Sequence, residues 1–142
     1  HIYYITSGVN VESLLLIFLL HFIGDFILQP YRMKIDKSRI PFVMATHIFI
    51  YSLVLFVGIW FFYGIKVAFY YSVINGFIHF MIDSISSKVI SNTSKDLKVE
   101  PGTSPLYERV NMYYPIIFLG IDQLLHQLSL IITWFYIFKD IT

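Results

Sequence analysis

Four long apolar runs, separated by short polar segments, dominate the pattern of the chain. A helix rises about 1.5 Å per residue, so a bilayer core of about 30 Å requires roughly 20 mostly apolar residues. The runs predict transmembrane helices over residues 11–28, 42–63, 67–90 and 112–138. Pro41 suits the first turn of the second helix. The pattern therefore predicts an all-α fold, a bundle of four transmembrane helices in one integral membrane domain, residues 1–142.

The segments between the predicted helices differ in length. Only a tight turn around Gly64 separates the second and third helices, so these two are expected to form an antiparallel hairpin. Residues 91–111 are polar and rich in proline and glycine, which predicts one long loop with a short surface helix at its start. The first helix contains LHFIGDFI and the third contains IHFMIDSI, a repeat that suggests two helical hairpins related by a pseudo-two-fold axis along the membrane normal.

Ionisable side chains interrupt these apolar runs, although each costs about 2.5–3.5 kcal/mol at the centre of a membrane helix. They come in pairs spaced i, i+4, which places both members of a pair on one helix face. The pairs are His21 and Asp25, His47 and Tyr51, His79 and Asp83, and Asp122 and His126. Measured from the helix ends, all four pairs lie in the same half of the bilayer. The sequence therefore predicts one shared polar site.

Imidazole and carboxylate groups without thiolate suit zinc, manganese or iron. The sequence contains no cysteine. The candidate ligands of one or two divalent transition-metal ions are His21, Asp25, His79, Asp83 and His126. Other roles are open for the remaining polar groups: Asp122 is a ligand or the general base, and His47 is a ligand or a proton shuttle. Tyr51 could donate a hydrogen bond to the negative charge that develops on a substrate during the reaction. The alternative is that these side chains only hydrogen-bond between helices, at about 0.6 kcal/mol each.

Basic residues lie beside this predicted site. Arg32, Lys34, Lys37 and Arg39 follow the first helix, and Lys88 follows Asp83 by about one turn. They either reflect the preference for positive charge on the cytoplasmic side or hold an anionic head group or phosphate. Lys88 is the stronger candidate for substrate binding because it continues the face of His79 and Asp83 towards the interface.

Composition and charge narrow the class of protein. Charged residues make up 13% of the chain, against about 25% in soluble domains, and the mean hydropathy is +0.70, which excludes an ordinary soluble domain. The net charge of +1 gives no basic footprint for nucleic acid. Eight of the 10 lysines and arginines lie in or next to the segments that follow the first and third predicted helices. This bias predicts that these segments are cytoplasmic and that both termini lie outside, in a multi-pass protein of a bacterial inner membrane.

Several short motifs are similar to those of a known family. They are HFIGDFILQ from His21, the histidine at His47, N-x-x-x-H-x-x-x-D from Asn75 with Lys88 behind it, and DQLLH from Asp122. Together they resemble an uncharacterised family, a domain of unknown function, of small membrane proteins from bacteria and phages. Lys37 matches a further recurring position of that family. A looser similarity is to proteins classed as membrane-bound metal-dependent hydrolases.

The sequence thus favours metal-dependent hydrolysis of a lipid-like or phosphate-bearing ester, in which the ion activates water and polarises the ester. Two other classes stay open. Carboxylate and histidine chains also occur in proton or metal-ion transporters and channel subunits, and a non-enzymatic membrane interaction protein would need only a structural site. Membrane lipid is an expected partner in each case. Association into a homo-oligomer is also open.

Overall fold

The computed structural model describes residues 11–30, 33, 40–96 and 105–141, with side chains described through 89 and from 116 to 137 in the last two helices. Helix α1 spans Val11–Phe22 and continues into a π-helical turn, Ile23–Ile27. The remaining helices are α2, Pro41–Tyr63, α3, Ile65–Asp96, and α4, Pro105–Ile141. The described residues form helices and no strands, which confirms the all-α prediction.

Three helices are long and apolar enough to cross a membrane. The qualifying segments are Pro41–Tyr63, Ile65–Val89 and Ile116–Ile137, with mean hydropathies of 2.2, 1.3 and 1.6. Helix α1 has 12 residues and the π-helical turn adds 5, so α1 alone is shorter than a bilayer core requires. The structure supports membrane association, because three helices are long and apolar enough to span a bilayer. Among the described residues, the first predicted helix, residues 11–28, does not add a further candidate span.

The helix ends extend beyond the apolar runs. Helix α3 continues to Asp96 and α4 begins at Pro105, so the prediction of one loop over residues 91–111 was wrong in its extent. Apolar run length marks only the part of a helix that lipid would surround. Polar residues continue a helix readily where water meets their side chains, and proline is well placed in a first turn.

The α2–α3 hairpin turns at Gly64, as predicted. Gly64 has φ +87°, in the left-handed region that favours glycine. Its N–H donates to the Trp60 carbonyl at 3.1 Å, and its carbonyl accepts from the Ala68 N–H at 3.1 Å. Gly64 therefore supplies hydrogen bonds to backbone groups at the end of α2 and at the start of α3, and the turn brings the two helices together.

The interior divides into an apolar half and a polar half. Buried residues recur every four positions along α2, from His47 and Tyr51 to Leu55 and Ile59, and the other helices follow the same spacing. Near the Gly64 turn this face is apolar. There the Trp134 ring meets the Tyr63 and Tyr71 rings edge-on, with centroids 4.9 and 5.2 Å away. Further from the turn the same faces carry histidine and aspartate, so the polar residues meet in one buried layer.

Candidate metal centre

A π-helical turn places Asp25 in the polar layer. The Leu28 N–H donates to the Ile23 carbonyl at 2.9 Å, five residues back. Gly24 lies against α2, where an added Cβ would meet Tyr51 Cδ2 at 3.0 Å and Tyr51 Cα at 3.4 Å. Glycine therefore allows the turn to approach α2 closely. Single π-helical turns within α-helices are frequent at functional sites, and this one directs a carboxylate that is only 5% exposed into the bundle.

Four ligand-type atoms converge from the π-helical turn, α2 and α3. His47 Nε2 lies 3.3 Å from Asp25 Oδ1 and 3.5 Å from Asp83 Oδ2. His79 Nε2 lies 3.5 Å from Asp25 Oδ1 and 3.6 Å from Asp83 Oδ2. The two Nε2 atoms are 3.1 Å apart. All four residues are at most 5% exposed, so this is a buried cluster of two imidazoles and two carboxylates.

Three of these spacings match ligand positions of a four-coordinate ion. Zinc binds histidine nitrogen and carboxylate oxygen at about 2.0–2.1 Å in a tetrahedron, and ligand atoms in that geometry are about 3.3 Å apart. The three distances among Asp25 Oδ1, His47 Nε2 and His79 Nε2 run from 3.1 to 3.5 Å. These three residues therefore fit a divalent ion without a large rearrangement.

His126 from α4 presents a lone pair beside this cluster. Its Nδ1 lies 2.8 Å from the Asp122 backbone carbonyl. Because a carbonyl only accepts, Nδ1 carries the proton and the lone pair is on Nε2. That Nε2 is buried with no hydrogen-bond partner among the described residues, and it lies 3.8 Å from Asp83 Oδ1. A buried, unpaired lone pair next to a carboxylate is the state of a ligand ready for a cation.

His79 belongs to both groups of side chains that can hold an ion. One group is Asp25, His47 and His79, and the other is His79, Asp83 and His126. The His79 ring also stacks on the Tyr51 ring, with centroids 3.9 Å apart and planes 21° apart. Its ring is thus fixed from one side while Nε2 faces the carboxylates of both groups.

A glutamine side chain bridges α4 and α1 next to this centre. Gln123 Nε2 donates to Asp25 Oδ2 at 3.0 Å and to Asp122 Oδ2 at 3.3 Å. Since carboxylates only accept, Gln123 Oε1 must face His21 Nε2, which lies 3.1 Å away and donates to it. The His21 lone pair is then on Nδ1, where it accepts from the Tyr51 hydroxyl at 3.3 Å.

The hydrogen bonds of His21 distinguish it from the other histidines. Both of its ring nitrogens have hydrogen-bond partners, and neither three-residue group includes it. Through Gln123 it instead fixes the carboxylate of Asp25, leaving Asp25 Oδ1 to face His47 and His79. Gln29 lies against His47, and its Nε2 is 3.3 Å from His47 Nδ1. Because an amide nitrogen only donates, His47 ligates through Nε2 only when the Gln29 carboxamide is turned to present Oε1 to a protonated Nδ1. Partners of this kind orient metal-ligating groups and tune their basicity.

Comparison with protein families identifies the chain's relatives. The model of one family, described as a protein of unknown function (DUF3307), matches residues 13–142. The chain belongs to this family. No curated protein and no solved structure matches it. The matched region includes every residue of the two candidate metal-binding groups, and the family description assigns no activity to them.

The remaining predicted site residues of this DUF3307 chain belong to neither candidate group. Asp122 is outside both groups, and its Oδ1 is buried with no hydrogen-bond partner among the described residues. Lys88 is exposed on α3, and Lys37 lies outside the described residues. Gln29 and Gln123 were not among the predicted site residues. Their position directly beside the motif carboxylates and histidines was the only signal that they orient the site.

Proposed function

We propose that this DUF3307 protein is a membrane-embedded metal-dependent hydrolase that acts on a lipid-like or phosphate-bearing ester. The observation that supports it is that Asp25 Oδ1, His47 Nε2 and His79 Nε2 lie 3.1–3.5 Å apart, the spacing of ligands around one ion, with Asp83 Oδ2 at 3.5 and 3.6 Å from the two nitrogens. A divalent transition ion held there would lower the pKa of bound water and polarise an ester oxygen. Zinc fits this mixture of nitrogen and oxygen ligands, and manganese and iron remain competitors.

The site holds one ion in this proposal. Both candidate groups depend on His79, and its Nε2 faces Asp25 and Asp83 alike. A neutral imidazole nitrogen has one lone pair and binds one cation. Because both groups share His79, one equivalent per chain is the expected loading.

The groups around the ion have separate roles. Asp122 is the general base, because it lies outside both ligand groups, its Oδ1 is unpaired and it is the most exposed of the buried carboxylates at 9%. His126 carries a lone pair towards Asp83 and completes the ligand set on the α4 side. Tyr51 supports the site through His21 and His79. Lys88, with Lys37, would attract an anionic head group at the membrane surface.

Replacing Asp122 with asparagine tests the hydrolase directly. The amide keeps the shape but cannot accept a proton, so hydrolysis should fall by about 10²–10⁴-fold while metal content stays at the parent level. The assay uses p-nitrophenyl esters of fatty acids and a p-nitrophenyl phosphodiester in phosphatidylglycerol vesicles, with and without chelator. Thr133→Val, a buried polar change on the same helix away from the ion, is the matched control.

Two outcomes would contradict this proposal. One is a parent protein that carries metal but shows no chelator-sensitive hydrolysis of either ester class. The other is hydrolysis that is unaffected in the Asp122→Asn variant. Metal-ion or proton flux into sealed vesicles, lost in the same variant, would instead assign the cluster to a transporter, since carboxylate and histidine chains also relay protons.

The orientation in the membrane follows from the charge bias of the sequence. We place the metal centre in the cytoplasmic half of a bacterial inner membrane, with the Gly64 turn outside, because basic residues are concentrated in residues 32–39 and 88–109. A cysteine introduced at Lys66, exposed beside the Gly64 turn in a chain that has no other cysteine, should react with an impermeant maleimide in intact cells. A cysteine at Lys88 should react only after permeabilisation. The reverse pattern would place the centre in the outer half.

A further inference from the structure

Within the described part of the chain, helix α4 leaves most of its surface between Ile116 and Ile137 uncovered. Only 17% of the most apolar stretch of Ile116–Ile137 is buried, against 28% for Pro41–Tyr63 and 39% for Ile65–Val89. Helix α4 packs mainly on α3 and touches α1 little. An apolar helix face that contacts lipid is expected in a membrane protein. Only a polar side chain on this face would therefore indicate a protein partner.

Gln127 supplies that feature. It lies in the middle of the Ile116–Ile137 segment and its side chain is exposed. At this depth a carboxamide faces lipid chains, which offer neither a donor nor an acceptor. Unlike Gln123, one turn away, it points outside the bundle. A buried hydrogen-bonding partner from another helix would remove this cost, and polar side chains are common in contacts between membrane helices for this reason.

The residues around Gln127 form a stripe with the spacing of a coiled coil. The α4 stripe consists of Ile117, Gly120, Leu124, Gln127 and Ile131. These positions alternate by three and four residues, which keeps them on one face of helices that cross at a small angle. Ile117 and Leu124 are 51% and 55% exposed, and a Cβ at Gly120 would meet no atom of the described chain within 4 Å. A small residue here permits close helix approach.

We propose that the α4 stripe is the interface of a homodimer, in which the two copies of Gln127 hydrogen-bond to each other. Copies inserted in the same orientation are related by a two-fold axis along the membrane normal, so a residue near the axis meets its own counterpart at the same depth. A carboxamide is both donor and acceptor, and two of them satisfy each other. The occupant of the stripe is therefore a second copy of this chain, independently of what the metal centre does.

Cysteine cross-linking in membranes tests the dimer, and the absence of native cysteine makes each introduced thiol unique. Leu124→Cys should give a disulfide-linked dimer on oxidation, since a disulfide requires Cα atoms within about 7 Å. Ile132→Cys, equally exposed at 54% but on another face, is the matched control and should stay monomeric. Adding Gln127→Leu to Leu124→Cys should weaken dimerisation by about 3- to 30-fold, and Gln127→Asn should retain it.

Each other result would overturn the proposal. Failure of Leu124→Cys to cross-link, or equal cross-linking at both positions, would show that the stripe is not the interface. Unchanged cross-linking after Gln127→Leu would show that the pair of Gln127 side chains does not stabilise the dimer. Gln127 is exposed and outside the metal centre, so the leucine variant is expected to fold and keep its metal, which separates this test from those of the hydrolase.

Discussion

His79→Gln is expected to abolish metal binding. His79 is shared by the two candidate ligand groups, so its loss leaves two ligands in each. A divalent ion needs about three protein ligands in this kind of site. We expect about one ion per chain in the parent and a negligible amount in the variant, measured by elemental analysis after purification without a metal-affinity resin.

His21→Gln provides the matched control. His21 and His79 are buried to a similar degree, at 3% and 1% exposure, and both substitutions introduce the same side chain. His21 has hydrogen-bond partners at both ring nitrogens and acts through Gln123. Its variant should therefore keep full loading at saturating metal, with an affinity reduced by about 10- to 100-fold at most. Full loading of the His79 variant, or equal loss in both variants, would contradict the assignment of ligands.

The sequence was sufficient to predict that the polar residues meet. Pairs at i, i+4 spacing, on runs too apolar to tolerate isolated charge, predict a shared buried face, and the structure brings Asp25, His47, His79, Asp83 and His126 together. The distinction among the histidines could not be predicted. Whether a ring nitrogen faces an ion or a hydrogen-bond partner depends on helix rotation and on side chains from other helices, as the Gln123 contact with His21 illustrates.

Two local features also escaped the sequence pattern. In the π-helical turn Ile23–Ile27 the backbone hydrogen bond spans five residues, one more than in an α-helix. The 3.6-residue periodicity of apolar positions cannot reveal this turn, because the apolar run continues through it. The ends of α3 and α4 lie outside the apolar runs. Hydropathy depends on whether lipid or water surrounds a helix. It therefore cannot predict how far a helix continues beyond the membrane.

Asp83→Asn is expected to separate metal binding from folding. Asp83 contacts His47, His79 and His126 within 3.5–3.8 Å, and an amide neither supplies the negative charge nor binds a transition ion strongly. The parent should be stabilised by its ion, by about 4 kcal/mol at a metal concentration of 1,000 times Kd. The variant keeps the group of Asp25, His47 and His79, so chelator should lower the thermal midpoint of the parent by more than that of the variant.

In the absence of metal the order of stability should reverse. The cluster then buries the carboxylates of Asp25 and Asp83 among histidines, and removing one charge relieves repulsion and desolvation, so the metal-free variant should unfold at or above the temperature of the metal-free parent. Asp122→Asn is the control, because Asp122 lies outside both ligand groups and should preserve the response to chelator. An Asp83 variant that responds to chelator as strongly as the parent would show that the bound ion does not use this carboxylate. A metal-free variant less stable than the metal-free parent would show that the carboxylate stabilises the bundle by its hydrogen bonds alone.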